Sequence, residues 1–286
     1  MDELQDRYLA SSGRGFVLFG SNDPDQLVEE SVRQLEEPLS NPFREEEFLV
    51  QSRGMGTWLQ LKIAEKKGIF AHARFRFQEE AIWMILRGFL GSGSERNPYT
   101  KEGLAWKVFG LLPGLIQEHS QSFQPLGEYL GGKAYWDGNR AFRLCRQIAT
   151  LYDSYLTYRP EMILNWNGKD FPSGRDRWQG ILWHAVRQSL GFETLPEKVE
   201  QISQMPEPKR ADWLPERLSV FGVSTMPPLF LDVLQAYGQF RPLKIFSLQP
   251  APVFWGEVEA EKWKLRALKR AELQAGHPVD ESILSD

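Results

Sequence analysis

Three polar side chains in a row, Gln51, Ser52 and Arg53, stand where an apolar run gives way to a helical pattern. The run is Phe48, Leu49 and Val50, short and continuously apolar in the manner of a buried parallel strand. After Gly54, the residues Met55, Trp58, Leu59, Ile63 and Ile69 recur at roughly helical spacing. A carboxamide, a hydroxyl and a guanidinium are thereby set at the carboxyl end of a strand and the amino end of a helix. In open α/β sheets ligands bind at that edge, and the unpaired N–H groups of a helix amino terminus attract anions such as phosphate. The same spacing also suits an ordinary strand-to-helix turn, so the rest of the chain has to decide.

Other chemistry-bearing motifs are weaker. The stretch GEYLGGKA, Gly127 to Ala134, contains the G-x-x-x-x-G-K part of a phosphate-binding loop, but Ala134 occupies the place of the magnesium-binding hydroxyl. It follows SFQPL rather than an apolar strand, and it leads into the turn-like YWDGNR. The other place for a nucleotide loop, GSNDPDQ after the first apolar run, has no lysine. No ATP hydrolysis and no cofactor are expected. The four histidines, His72, His119, His184 and His277, are dispersed, and none lies four residues from another or beside a carboxylate pair that suggests zinc. The single cysteine, Cys145, sits in the helical string AFRLCRQIATLY and reads as a buried structural thiol rather than a nucleophile. GVSTM lacks the second glycine of a nucleophile elbow. No residue is nominated as catalytic.

The net charge of −4 and pI near 5.7 exclude a protein coated in positive charge for nonspecific nucleic-acid binding. Two local basic sets remain. Lys66, Lys67, Arg74 and Arg76 lie close in sequence, and Arg140, Arg143 and Arg146 repeat every three residues. Each set is a candidate phosphate strip, although a solvated helix face is the commoner use of such runs. Ten tryptophans and eighteen phenylalanines offer stacking surfaces for unpaired bases, each stacked base being worth about 1–3 kcal/mol. Trp106, Trp178 and Trp183 fall among apolar residues at helical positions and are expected in the core.

The elements that must position these groups follow from periodicity. With 286 residues and 42% apolar composition, the chain can fill one large or two ordinary domains. Residues 1–14 are polar and read as a mobile leader. FVLFG, Phe16 to Gly20, is a strand, and Asn22 or Asp23 caps a helix that opens with Pro24 and runs to about Glu37. With the strand at Phe48 this makes a βαβ start. Helical patterns then dominate: EEAIWMILRGFL, LAWKVFGLLPGLIQEH, NRAFRLCRQIATLYDSYLTY and DRWQGILWHAVRQSL. Strands return in LSVFGV and LKIFSLQ, separated by the helix PPLFLDVLQAYGQF. The expected fold is α/β, with a parallel layer from 15–77 and 207–256, an all-helical insertion at 78–206, and a charged helix or tail at 257–286. No signal-peptide pattern and no stretch of eighteen apolar residues is seen, which points to the cytoplasm and away from membranes.

Several separate strings also resemble one known family. VQSRGMGTWLQ, AIW, AWKVFGLLPGLI, LYDSYLTYRPE with the later Trp166, FGVSTMPPLFLDVLQAYG and the closing FWGEV are similar, in order and spacing, to the amino-terminal region of the exodeoxyribonuclease V gamma subunit family, RecC. The resemblance runs from about Phe16 to Val258. Family chains are several times longer, so this one looks like an amino-terminal fragment. The resemblance implies a fold like a superfamily 1 helicase motor domain that has lost its ATPase residues. It implies a nonenzymatic subunit that binds and scans single-stranded DNA within a RecBCD-type helicase and nuclease, for double-strand-break repair and recombination. The implied partners are the helicase/nuclease beta subunit and the helicase alpha subunit. In well-studied members a channel in this region recognises the Chi octamer. Of the positions implicated there, Gln51, Trp83, Leu151, Asp153 and Arg159 match in residue type, whereas Arg53, Thr57, Phe77 and Thr150 stand where other types are used. The changed positions imply preference for a different short sequence or for none. Two other readings compete: an architectural module that binds only partner subunits, and an independent ATP-driven helicase, which the missing lysine disfavours.

Overall fold

The apolar runs pair into one five-stranded sheet in the computed structural model, which describes residues 15–91, 97–131 and 137–249. The expected leader at 1–14, the expected tail at 257–286 and the FWGEV string lie outside the described residues. The chain runs β1 (Phe16–Ser21), α1 (Pro24–Gln34), β2 (Glu46–Val50), α2 (Arg53–Lys67), β3 (Ala73–Arg76), α3 (Gln78–Leu90), α4 (Lys101–Glu118) and α5 (Gln124–Tyr129). It continues through α6 (Gly138–Tyr158), α7 (Pro160–Asn167), α8 (Arg177–Leu190), α9 (Leu195–Ser203), β4 (Leu218–Phe221), α10 (Pro228–Gly238) and β5 (Leu243–Leu248). Contacts divide the described residues into two compact units: a sheet unit of 15–75, 217–224 and 243–249, and a helical unit of 76–91, 97–131, 137–216 and 225–242.

In the sheet unit the strand order is β1-β5-β4-β2-β3. β1, β5, β4 and β2 are mutually parallel, and one row across them aligns Phe19, Phe246, Phe221 and Val50. These side chains are buried with Leu27 and Val28 of α1 and Leu59 and Ile63 of α2. Phe19 stacks on Phe246 with ring centroids 4.9 Å apart, and Phe221 stacks on Phe246 at 5.7 Å. The continuous apolar runs thus reflect strands packed within an α/β layer. Sequence reading placed no strand at 73–76. β3 has only four residues, and its alternating arginines, Arg74 and Arg76, mask the apolar signal of Phe75. Phe75 lies over Gly56, where an added Cβ would stand 3.2 Å from the Phe75 Cβ, so α2 approaches β3 closely because that position has no side chain.

In the helical unit α4, α6 and α8 pack around Leu104, Val108, Leu112, Cys145, Ile148, Tyr152, Trp183 and Val186. The long apolar stripe of α6 accounts for its place at the centre. Helices α5, α7 and α9 are short and were not expected. The start of α9 does carry a sequence signal: the Thr194 hydroxyl accepts from the Glu197 amide and the Glu197 carboxylate returns to the Thr194 amide, a capping box, with Pro196 in the first turn. Residues 207–216 and α10, which sequence reading grouped with the sheet layer, cluster with the helices. α10 buries Leu229, Phe230, Val233, Leu234 and Tyr237, and packs against α3 and α9. The Tyr237 hydroxyl donates to the Pro215 carbonyl at 3.1 Å.

Of the three tryptophans expected inside, Trp183 is fully buried and Trp178 packs partly buried against the same core. Trp106 is the correction: it is 64% exposed. Among the described residues no helix is long and apolar enough to cross a membrane.

Candidate nucleic-acid interface

The sheet order creates a topological switch between β2 and β4. From β2 the chain proceeds through α2 to the edge strand β3, whereas from β4 it returns to β5 on the other side. Connections that diverge leave a crevice at the strands' carboxyl ends, the usual ligand edge of such sheets. Val50 pairs with Phe221 as the last step of the β2–β4 register. Gln51 therefore emerges beside the Gly222–Ser224 turn, and the Ser224 hydroxyl donates to the Gln51 carboxamide oxygen at 3.3 Å. Gly222 has φ +63°, which keeps this turn tight, and an added Cβ would meet Met55 at 3.1 Å.

Ser52 is the N-cap of α2, its hydroxyl accepting from the Met55 amide at 3.2 Å. Arg53 opens the helix in an exposed position, and Thr57 is exposed one turn later. The expected trio thus stands at the expected junction, with the hydroxyl already used as a cap and the carboxamide steadied by Ser224. Ser224, in the string GVSTM, carries no local motif that marks it. Its position after β4, matching that of Gln51 after β2, is the signal that would have found it.

The remaining residues named from the family resemblance lie in the helical unit. Phe77 is the N-cap residue of α3 and is 44% exposed, and the adjacent Gln78 carboxamide donates to the Thr225 carbonyl at 2.9 Å. Trp83, within α3, is half-buried. Phe77 stands in extended backbone just before α3, and Trp83 lies six positions on, about 120° away around a helix of 3.6 residues per turn, so the two do not share a helix face. Leu151 and Asp153 flank the buried Tyr152 on opposite sides of α6. Leu151 is 37% exposed, whereas Asp153 pairs with Lys101 of α4 at 3.3 Å. Thr150 is exposed, and its hydroxyl donates to the Arg146 carbonyl at 3.0 Å. Arg159 joins α6 to α7 and is exposed. Burial pushes the neighbouring Tyr155 phenol up, Asp176 adds to the shift and the Arg159 cation opposes it. Gln51, Arg53 and Thr57 thus belong to one unit and the other named residues to the second.

The two basic sets differ sharply. Lys66 pairs with Glu29 at 2.9 Å, Lys67 donates to the Leu35 carbonyl at 3.1 Å, and Arg74 pairs with Glu45 at 2.6 Å. Arg76 pairs with Glu80. This set is spent within the protein and is no phosphate strip. Arg140, Arg143 and Arg146 are all exposed on α6.

The stretch before Gly127 forms the short helix α5 instead of the strand a phosphate loop requires, while Lys133 and Ala134 lie outside the described residues. At the end of β1 the Asp23 carboxylate caps α1, accepting from the Asp25 amide at 2.8 Å, and so puts negative charge where a nucleotide phosphate would bind. Titration with ATP and magnesium is therefore expected to show no binding. Micromolar affinity lost on Lys133→Ala would contradict this. Cys145 is fully buried, and burial pushes its thiol up to about 11, which leaves almost no thiolate at neutral pH.

The family model described as RecC, N-terminal domain, matches residues 16–285. The chain is 28% identical over 273 residues to the RecBCD enzyme subunit RecC of Haemophilus influenzae, with 85% of this chain and 24% of that protein covered. It is 29% identical over 249 residues to the same subunit of Escherichia coli K12, covering 82% and 21%. With the subunit of Mycolicibacterium smegmatis it shares 24% over 260 residues, covering 89% and 23%. The chain thus spans about a quarter of the length of the curated relatives it matches. A parallel sheet with a polar switch-point edge, a helical unit of its own and a family match along nearly the whole length lead to one conclusion: the chain belongs to the RecC N-terminal domain family.

Proposed function

We propose that this chain is a nonenzymatic, DNA-strand-holding part of a RecBCD-type helicase and nuclease acting in double-strand-break repair and recombination in the cytoplasm. Its sheet unit is then an inactivated superfamily 1 motor domain, and its partners are the helicase/nuclease beta subunit and the helicase alpha subunit. The observation that carries the reading is the switch-point edge, where Gln51 and Arg53 stand at the amino end of α2 and Asp23 caps the neighbouring helix start. Such an edge suits an anionic backbone and does not suit a nucleotide triphosphate. Gln51, Arg53 and Thr57 on one unit, with Phe77, Trp83, Leu151, Asp153 and Arg159 on the other, are the proposed strand contacts. Exposed arginines would meet phosphate, and Phe77 and Trp83 would offer ring faces to unstacked bases.

A second reading, an architectural module that touches only partner subunits, draws support from Asp153, already paired with Lys101, from the carboxylate partners of Lys66, Arg74 and Arg76, and from the bond of Lys67 to a main-chain carbonyl. Binding of single-stranded oligonucleotides across a salt series separates the two. The acidic balance removes long-range attraction, so affinity is expected to be weak and greatest at low salt. Arg159→Ala is expected to weaken binding to all sequences alike and to flatten the salt slope by roughly 0.7, the share of one single-strand phosphate contact. If Gln51→Ala, Trp83→Ala and Arg159→Ala combined leave binding unchanged, these residues are not on the DNA path.

A further inference from the structure

The exposure of Trp106 has a structural context. α4 and α6 run antiparallel, as Lys101 meets Asp153 at one end and Trp106 meets Phe142 towards the other. Ring centroids lie 4.6 Å apart for Trp106 and Phe142, 6.2 Å for Trp106 and Phe109, and 5.8 Å for Phe109 and Phe142. Three rings therefore form one cluster, and its largest member faces solvent. Arg146 lies four residues after Phe142 and so shares its flank of α6, while Arg143 projects from the side opposite the buried Cys145 and Tyr152. Among the described residues neither Arg143 nor Arg146 makes an ion pair. Arg140 continues the row, its guanidinium 4.4 Å from the Tyr129 ring centroid. On the same side are two carboxylates, Asp153, neutralised by Lys101, and Glu102, one turn before Trp106.

We propose that this face of α4 and α6 is a second binding surface for single-stranded nucleic acid, on which Arg143 and Arg146 hold backbone phosphates and Trp106, propped by Phe142, stacks on a base. Unpaired guanidiniums beside an exposed indole match a polyanion that also carries flat apolar faces, and stacking on an aromatic ring tolerates any base. Base sequence is not read here. The surface acts independently of Gln51, Trp83 and Arg159, so its success or failure does not decide theirs.

Anisotropy of a fluorescein-labelled oligothymidylate, titrated with the full chain over a range of salt, provides the test. Arg143→Gln combined with Arg146→Gln is expected to lower affinity at low salt about tenfold and to flatten the salt slope by roughly 1.4, two single-strand phosphate contacts at about 0.7 each. Trp106→Ala is expected to lower affinity about tenfold with the slope unchanged, and Trp106→Phe to recover most of it. The same losses are expected when these substitutions are made in the chain already altered at Gln51, Trp83 and Arg159. Unaltered thermal unfolding qualifies each variant, and should Trp106→Ala unfold, the arginine pair decides. Affinity and salt slope left unchanged by the arginine substitutions, both in the wild-type chain and in the chain altered at Gln51, Trp83 and Arg159, overturn the proposal, as does a wild-type chain that binds no oligonucleotide at low salt. Retained oligonucleotide binding with lost association to a partner subunit also overturns it and assigns the face to a protein.

Discussion

Replacing Trp183 with Ala is expected to destabilise the helical unit by about 3–5 kcal/mol, the usual cost of truncating a large buried aromatic side chain. Trp183 is fully buried, with its ring centroid 5.1 Å from that of Tyr152 and 5.7 Å from that of Tyr99. Its indole N–H donates to the Asn167 carboxamide oxygen at 2.8 Å. Tyr152 in turn donates its hydroxyl to the Gln179 carbonyl at 2.8 Å, and burial pushes its phenol well up. Truncation therefore opens a cavity among α4, α6 and α8 and strips Asn167 of its donor. Trp183→Phe keeps most of the packing and loses the hydrogen bond, so about 1–3 kcal/mol is expected there. Thermal unfolding followed by near-ultraviolet circular dichroism measures both. A Trp183→Ala chain melting within a degree or two of wild type would mean that this core closes over the void. Because Leu151, Asp153 and Arg159 are carried by α6 and its junction with α7, the same variant is expected to bind single strands poorly for structural reasons.

The second large effect is expected at the opposite end of the sheet from the switch-point edge. Glu46 opens β2 and Arg217 immediately precedes β4, one step before the paired Glu47 and Leu218. The Arg217 Nε donates to one Glu46 oxygen at 2.9 Å and its Nη2 to the other, a bidentate pair with side chains only 7% and 14% exposed for Arg217 and Glu46. Lys244 of β5 is also buried. Burial holds its ammonium below the usual lysine range, Arg217 adds to that, and nearby carboxylates including Glu46 oppose it. Glu46→Ala leaves two cations in a poorly solvated place without their carboxylate, and a loss of about 3–5 kcal/mol is expected. Paired replacement of Glu46 and Arg217 by apolar residues is expected to cost much less, since no charge is stranded. Urea unfolding of the single and paired variants reads the difference. Equal midpoints for Glu46→Ala and wild type would show that water reaches the site freely.

Local signals carried much of the fold. The strands at Phe16, Phe48, Leu218 and Leu243 and the helices α3, α4, α6, α8 and α10 are visible as runs and periodicities, because each depends on neighbours within a turn or a pleat. β3 was not visible, since four residues with two arginines carry too little pattern. Trp106 was misplaced for another reason. Its spacing among apolar residues is that of a core position, but α4 is apolar around much of its surface, and only the packing of α6 and α8 decides which part is covered. The basic set around Lys66 and Arg74 shows the same limit. The carboxylates of Glu29 and Glu45 and the main-chain carbonyl of Leu35 engage it from well upstream in sequence, beyond the reach of any local pattern.

By itself, the sequence determined the family, the strand-to-helix junction at Gln51 to Arg53, and the lack of lysine after the first strand, since all of these are properties of contiguous residues. The tertiary structure decided the rest. It inserted β5 and β4 between β1 and β2, and so placed the switch point at Gln51 and Ser224, residues separated by 173 positions. It also grouped α10 with the helices and left Trp106 uncovered beside Arg143 and Arg146. The physical reason is common to all three. Which apolar faces meet, and which charges are left unpaired, depends on long-range burial, and no window of neighbouring residues contains that information.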